Sequence, residues 1–343
     1  MGTPESQSVL ITDSTLRDGN HAISHRLGVS DIADYCRFAD AAKVPIVEIG
    51  HGNGLGASSL QVGLSAVDDL VMFETAKRNL STSKLGIHVI PGFATIERDL
   101  KPALNAGVDV VRVASHCTEA DITERHIGYC REQGKTVFGV LMMSHMAEIG
   151  VLCEEAKKME VYGAEAVIIM DSSGTYLPGD VTERITRLRN SLGVPVGFHA
   201  HNNLGMAIAN SVAAIAAGAS LVDGSIRGFG AGAGNAQLEV LVAVLERMGI
   251  RTGIDLYKIL DAGDMAQERF IEELPVIKSL SIVSGLAGVF SGFVKPVIRI
   301  CADWGVDPRD VFFELGRRRA VAGQEDLILD VVKEMKGKGS NHE

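Results

Sequence analysis

The chain repeats two hydrophobic patterns in turn. Short apolar runs come at Val9-Leu10-Ile11, Pro45-Ile46-Val47-Glu48-Ile49-Gly50, 85–90, 108–114, 136–142, 166–170, 196–200 and 221–226. Their length and β-branched content read as buried strands. Between them lie segments with apolar residues three and four apart, the spacing of an amphipathic helix. The first is 30–42, with Ile32, Ala33, Tyr35, Cys36, Phe38 and Ala39 on one stripe and Ser30 as N-cap. Others follow at 68–80, 96–106, 120–133, 146–162, 181–191 and 207–217.

Near-continuous apolar strands are those of a parallel sheet buried on both faces. Eight such units in roughly 250 residues predict an α/β fold, a (β/α)8 TIM barrel. A doubly wound open sheet is the competing topology, because periodicity does not show closure. Beyond Arg251 the strand pattern stops, and 256–269, 284–304, 308–315 and 324–336 read as helices. The expected organisation is a barrel over 1–262 with an appended C-terminal helical domain over 263–343, its tail from Lys338 frayed.

Composition narrows the class. An apolar fraction of 46% in 343 residues supplies a large core. The formal net charge of -10, without a long basic run, argues against nucleic acid or an anionic membrane as partner. Arg317-Arg318-Arg319 reads as a solvated face. The five cysteines, Cys36, Cys117, Cys130, Cys153 and Cys301, form no C-x-x-C pair, so reduced thiols in a cytoplasmic setting are expected. Residues 1–8 are polar and show no signal peptide, and no apolar run reaches membrane-spanning length.

Chemistry concentrates at two strand ends. The first strand runs into Thr12-Asp13-Ser14-Thr15-Leu16-Arg17-Asp18-Gly19-Asn20-His21. That stretch sets a fixed cation (Arg17), an anionic ligand (Asp18) and a titratable base (His21) within five positions. The seventh strand ends in His199-Ala200-His201, whose imidazoles share a face because strand side chains alternate. Barrel active sites lie at the C-terminal strand ends. Asp18, His199 and His201 there make a 2-His-1-carboxylate metal set with open positions for substrate. The plainer readings are a solvated Arg–Asp pair and two hydrogen-bonded core histidines. Gly230-Ala-Gly-Ala-Gly-Asn235 follows the last strand, so it reads as close backbone approach to the site, with Asn235 as a polar partner, rather than as a nucleotide loop.

Asp13 to Gly19 and His199 to His201 resemble the metal-dependent lyases and synthases called DRE-TIM metallolyases. Further stretches are similar to the 4-hydroxy-2-oxovalerate aldolase family: His51 to Gly56, Ser115 to Ala120, Leu141 to His145, Phe198 to Gly205, Gly230 to Asn235, and Glu314 to Arg319 with Gly323 to Asp326. The resemblance runs from about Ile11 to Val332. It implies a class II pyruvate aldolase using Mn2+ or another divalent ion such as Co2+ or Mg2+, held by Asp18, His199 and His201. Arg17 would stabilise the pyruvate enolate, His21 would move the C4-hydroxyl proton, and Ser172 would contact the 2-oxoacid. The helical domain would dock an acylating aldehyde dehydrogenase that receives the aldehyde, in a homo- or hetero-oligomer.

Two positions depart from the family pattern. Phe290 stands where a tyrosine faces the acceptor aldehyde, and His88 stands where leucine is expected; both are taken as acceptor-side substrate contacts. The pair implies an aldolase retuned to another aldehyde, such as an aromatic picolinaldehyde, in a biosynthetic pathway. A Claisen-type lyase or synthase on the same barrel, and a non-catalytic partner of a dehydrogenase, are the alternatives.

Overall fold

The structure is a computed structural model that describes residues 7–321 and 323–339. The polar stretch at 1–8 therefore falls mostly outside the described residues, as do positions 340–343 of the tail expected to fray. Eight βα units follow in order: β1 (Leu10–Leu16), α1 (Val29–Ala41), β2 (Ile46–Ile49), α2 (Asp69–Asn79), β3 (Lys84–Val89), α3 (Lys101–Asn105), β4 (Val110–His116), α4 (Glu124–Glu132), β5 (Thr136–Met142), α5 (Ile149–Val161), β6 (Ala166–Asp171), α6 (Pro178–Ser191), β7 (Val196–Ala200), α7 (Ala207–Ala216), β8 (Leu221–Gly224) and α8 (Leu238–Arg247). Each strand pairs in parallel with the next, and β8 returns to β1 with Leu10 opposite Leu221. That closing pair decides for the barrel over an open sheet.

Two layers fill the inside. Ile46, Val110, Phe138, Ala166 and Leu221 form an apolar plug. Two residues further along their strands, on the same inward face, Glu48, Arg112 and Asp223 replace apolar side chains and are fully buried. The larger core lies between the strands and the outer helices.

Three elements differ from the expectation. The polar stretch after Ile11 is not a loop: β1 continues to Leu16. Its buried polar groups are paired, Asp13 accepting from Thr15 N–H and the Tyr35 hydroxyl, and Ser14 donating to the Gly224 carbonyl at 3.2 Å. The eighth unit has its own helix, α8, which the strand-by-strand reading passes over. The expected single helix at 284–304 is two, α10 (Ser279–Ala287) and α11 (Val294–Trp304). Gly288, at φ +65°, ends α10 in the left-handed conformation that glycine tolerates best. Ser284 Oγ donates to the Val289 carbonyl at 2.7 Å just beyond the break.

Helix α9 (Leu256–Arg269) lies against the barrel, with Ile259, Ala262 and Ala266 in the main core, joined by Ile271 just beyond it, and Arg269 paired to Asp34 of α1 at 2.6 Å. A second core joins α10, α11, α12 (Pro308–Arg317) and α13 (Leu327–Gly339) through Val289, Phe293, Val297, Phe312, Leu315 and Val331. The main core reaches Ile271, and the second core begins its fully buried residues at Val289. All five cysteines are free thiols. Among the described residues, no helix is long and apolar enough to cross a membrane.

Candidate active site

The C-terminal rim of the barrel collects the residues singled out above. Asp18 opens a single 3-10 turn directly after β1; His199 lies in β7, and His201 follows it in a bridge to Asn235. All three are buried, and one ligand atom from each lies within 4.8 Å of the others. The two imidazole centroids are 5.1 Å apart.

The surroundings prepare these groups as ligands. His199 Nδ1 faces the Asp223 carboxylate at 2.8 Å, so its Nε2 is the free nitrogen. That Nε2, and Nδ1 of His201, are buried without a hydrogen-bond partner. Burial pushes His201 down to about 3, which keeps its ring neutral near pH 7. Burial alone would raise the Asp18 carboxyl, but Arg17 and the neighbouring His201, His21 and His199 together outweigh it and hold Asp18 well below the usual carboxylate range. Asn235 Nδ2 donates to Asp18 Oδ2 at 2.6 Å. Gly230 leaves room for this contact: a Cβ there would sit 2.4 Å from Asn235 Nδ2 and 2.6 Å from Asp18 Oδ2. Two orphaned imidazole nitrogens beside an ionised carboxylate are the donor set a divalent ion takes.

Arg17 is buried and held on three sides: Nε to Glu48 Oε2 at 2.8 Å, and Nη1 to Asp18 Oδ1 at 2.9 Å and to the Gly52 carbonyl at 3.3 Å. Its Nη2 is buried and unpaired. Glu48 lies 3.2 Å from Arg112, whose other nitrogen pairs with Asp223, the partner of His199. An inward ring of charge thus links the arginine to the histidine. His21 ends the turn that Asp18 opens. Burial, opposed by the Asp18 charge, lowers it to about 4, so it is a neutral proton acceptor at pH 7. Gly52 makes space for it, since a Cβ there would lie 2.5 Å from the His21 ring.

A model of the HMGL-like family matches residues 8–266, and one of the DmpG-like communication domain matches 275–337. A 4-hydroxy-2-oxovalerate aldolase of Spirochaeta aurantia is 76% identical over 340 residues, covering 99% of this chain and 100% of that one. Another, of Pectobacterium atrosepticum, is 60% identical over 336 residues, covering 98% of each. The chain belongs to the HMGL-like 4-hydroxy-2-oxovalerate aldolase family. This is a family of carbon–carbon lyases. In fold alone, it also matches the carboxyl transferase domain of Rhizobium etli pyruvate carboxylase, with a TM-score of 0.81 at 17% identity over 98% of this chain and 61% of that one.

Against that family's pattern, the remaining candidates fall in different places. Phe290, from the segment joining α10 to α11, presents its ring edge-on to His21 with centroids 6.3 Å apart. His88 points into the barrel, where its Nδ1 is 3.7 Å from Glu48 and burial pushes it down to about 4. Ser172, after β6, is buried and its Oγ accepts from Met143 N–H at 2.9 Å. Glu48, Arg112 and Asp223 were missed by reading the strands as uniformly apolar. Their signal was present: one charge inside each of Val47-Glu48-Ile49, Val111-Arg112-Val113 and Val222-Asp223-Gly224. His25 and His51, stacked at 3.6 Å beside His21, add two further imidazoles to this rim.

Proposed function

We propose that this chain is a divalent-metal-dependent class II aldolase. It makes or cleaves a 4-hydroxy-2-oxoacid, with pyruvate or 2-oxobutanoate and an aldehyde on the other side. The observation that carries this reading is the buried Asp18, His199 and His201 cluster next to the unpaired Nη2 of Arg17. These three residues would hold Mn2+, or Co2+ or Mg2+. The ion supplies Lewis acidity toward the oxygens of the 2-oxoacid. In cleavage, His21 accepts the C4-hydroxyl proton, the C3–C4 bond breaks to release the aldehyde, and its electron pair is delocalised toward the C2 oxygen. Arg17 donates to that developing enolate oxygen, a preorganised contact in a water-poor site. The enolate then takes a proton at C3 to give pyruvate; in synthesis pyruvate first loses that C3 proton, and His21 returns a proton to the new alkoxide. Ser172 and the rim of β6 border the 2-oxoacid.

The altered acceptor side supports an aromatic aldehyde such as picolinaldehyde. Phe290 offers a ring without a hydroxyl beside His21, and edge-to-face or stacked ring pairs add about 0.5–1.5 kcal/mol beyond burial. The communication-domain match supports an acylating aldehyde dehydrogenase as partner, docked on α10–α13 in a cytoplasmic hetero-oligomer.

The test is release of pyruvate from 4-hydroxy-2-oxopentanoate by protein stripped of metal, then after readdition of Mn2+, Co2+ or Mg2+. We expect activity only with metal. A rate indifferent to chelation refutes the metal assignment, and turnover of an acyl thioester in place of the hydroxy-oxoacid would favour Claisen chemistry.

A further inference from the structure

The loop after β7 carries more than the metal ligand His201. Two residues on, the fully buried Asn203 turns away from the barrel and into the helical domain. Its Nδ2 donates to Ser291 Oγ at 2.9 Å and to the Ser281 carbonyl at 3.2 Å, while Ser291 Oγ lies 3.2 Å from Asn203 Oδ1. Ser291 is the residue after Phe290. It sits in a recess made by Gly232 of the loop after β8, where a Cβ would be 2.6 Å from the Ser291 Cβ.

The other end of the same segment is tied as well. His145, after β5, bonds through Nε2 to the Gly288 carbonyl at 2.9 Å. Val289 and Phe290 are thus pinned at both flanks by residues of the barrel rim. Phe290 has no polar group of its own to hold it, and it packs only at the edge of the second core. A rotatable side chain presented from another domain would otherwise blur the wall it forms against His21.

We propose that Asn203 and Ser291 form an interdomain latch that positions Phe290 and thereby sets which aldehyde the site accepts. Both are positioning residues. Asn203 touches neither the metal cluster nor Arg17, and the latch acts on the acceptor half alone. The 2-oxoacid half is built from the rims of β1, β2, β6 and β7, apart from the segment that carries Phe290. The inference rests on the aldolase reading, since it presumes an acceptor beside His21.

The experiment compares Ser291→Ala and Asn203→Ala with the wild type, all loaded with Mn2+. Enolisation is read as C3 deuterium exchange of pyruvate without aldehyde. Carbon–carbon bond formation is read as kcat/KM for acetaldehyde, propanal and benzaldehyde. Latch rigidity is read as amide hydrogen exchange over residues 288–293. A misplacement near 1 Å costs about 100-fold in a positioned reaction. We therefore expect condensation to fall about 10- to 100-fold, with the ranking of the aldehydes changed, while pyruvate exchange stays within about twofold. Amide exchange over 288–293 should rise, and Ser291→Thr, which keeps the hydroxyl, should recover most of the wild-type ranking. Parallel loss of enolisation and condensation, or an unchanged ranking, overturns the latch, and so does unaltered amide exchange in both alanine variants. A wild type that exchanges no pyruvate proton with metal present instead defeats the aldolase reading, and the amide-exchange arm still judges the latch.

Discussion

His199 donates a hydrogen bond from Nδ1–H to the Asp223 carboxylate across 2.8 Å, and this one bond fixes which ring nitrogen remains for a metal. Asp223 keeps its own charge because Arg112, which pairs with it, and the hydrogen bond from His199 together hold its carboxyl below the usual range against the opposing effect of burial, which is larger than either alone. An ionised, oriented acceptor makes the imidazole a better ligand. We expect Asp223→Asn to fold and to bind Mn2+ about 10- to 100-fold more weakly, as measured by titration of metal-free protein. Unchanged affinity would detach this carboxylate from the site.

Arg17 has a different kind of preparation. Glu48, Asp18 and the Gly52 carbonyl use its Nε and Nη1, and Nη2 is left buried with nothing to bond. Lysine keeps the charge but cannot bond to Glu48 and Asp18 and still reach a substrate oxygen. We expect Arg17→Lys to lower kcat by about 10²–10³ with metal content unchanged. A near-normal kcat would remove Arg17 from the chemistry.

Gly230 is a steric test of the same corner. A methyl group there meets Asn235 Nδ2 at 2.4 Å and Asp18 Oδ2 at 2.6 Å. Its backbone is not in the left-handed region, so Gly230→Ala probes space alone. The expected result is a folded barrel, by circular dichroism, that retains little metal. Full metal occupancy in the variant would mean the Asp18 carboxylate is free to move.

These cases show where the sequence was readable. Asp18, His199 and His201 lie at strand ends in recognisable patterns, and spacing alone brings them to one rim. The barrel was equally plain, because buried parallel strands write themselves as apolar runs. Glu48, Arg112 and Asp223 were hidden by that same rule: a single charge in such a run looks like noise until three strands place it in one layer. Asp13 and Thr15 misled for the opposite reason, since polar residues can continue a strand when Tyr35 and neighbouring backbone satisfy them. The break at Gly288 needed the left-handed turn, which an apolar helix pattern does not announce.

His145 gives a pH dependence with a definite sign. It bonds to the Gly288 carbonyl and lies near Arg184, His116 and Arg319, and burial lowers it from 6.5 to about 4. Between those values the unfolded chain takes up a proton that the folded chain refuses. Its contribution to stability is therefore complete above pH 6.5 and is lost as pH falls toward 4. At pH 5 the loss from this group is about 2 kcal/mol relative to pH 7. Gln cannot titrate, so His145→Gln should narrow the difference in urea stability between pH 7 and pH 5 by about that amount. An identical difference in the two proteins would show that His145 is free to protonate in the fold.

The acceptor side makes the most specific claim. Phe290 stands edge-on to His21 at 6.3 Å between centroids, and it brings a ring face where the family pattern has a hydroxyl. An aryl aldehyde can pack on that ring while its carbonyl carbon meets the enolate, whereas acetaldehyde has too little surface to benefit. His88, expected on the same acceptor side, is buried with its Nδ1 3.7 Å from Glu48. We expect the wild type to prefer picolinaldehyde over acetaldehyde in kcat/KM. Restoring the hydroxyl with Phe290→Tyr should shift the ratio toward acetaldehyde by about 2- to 10-fold, the equivalent of one hydrogen bond. If acetaldehyde is preferred from the outset and the substitution leaves the ratio where it was, Phe290 is a packing change and the aromatic acceptor is wrong.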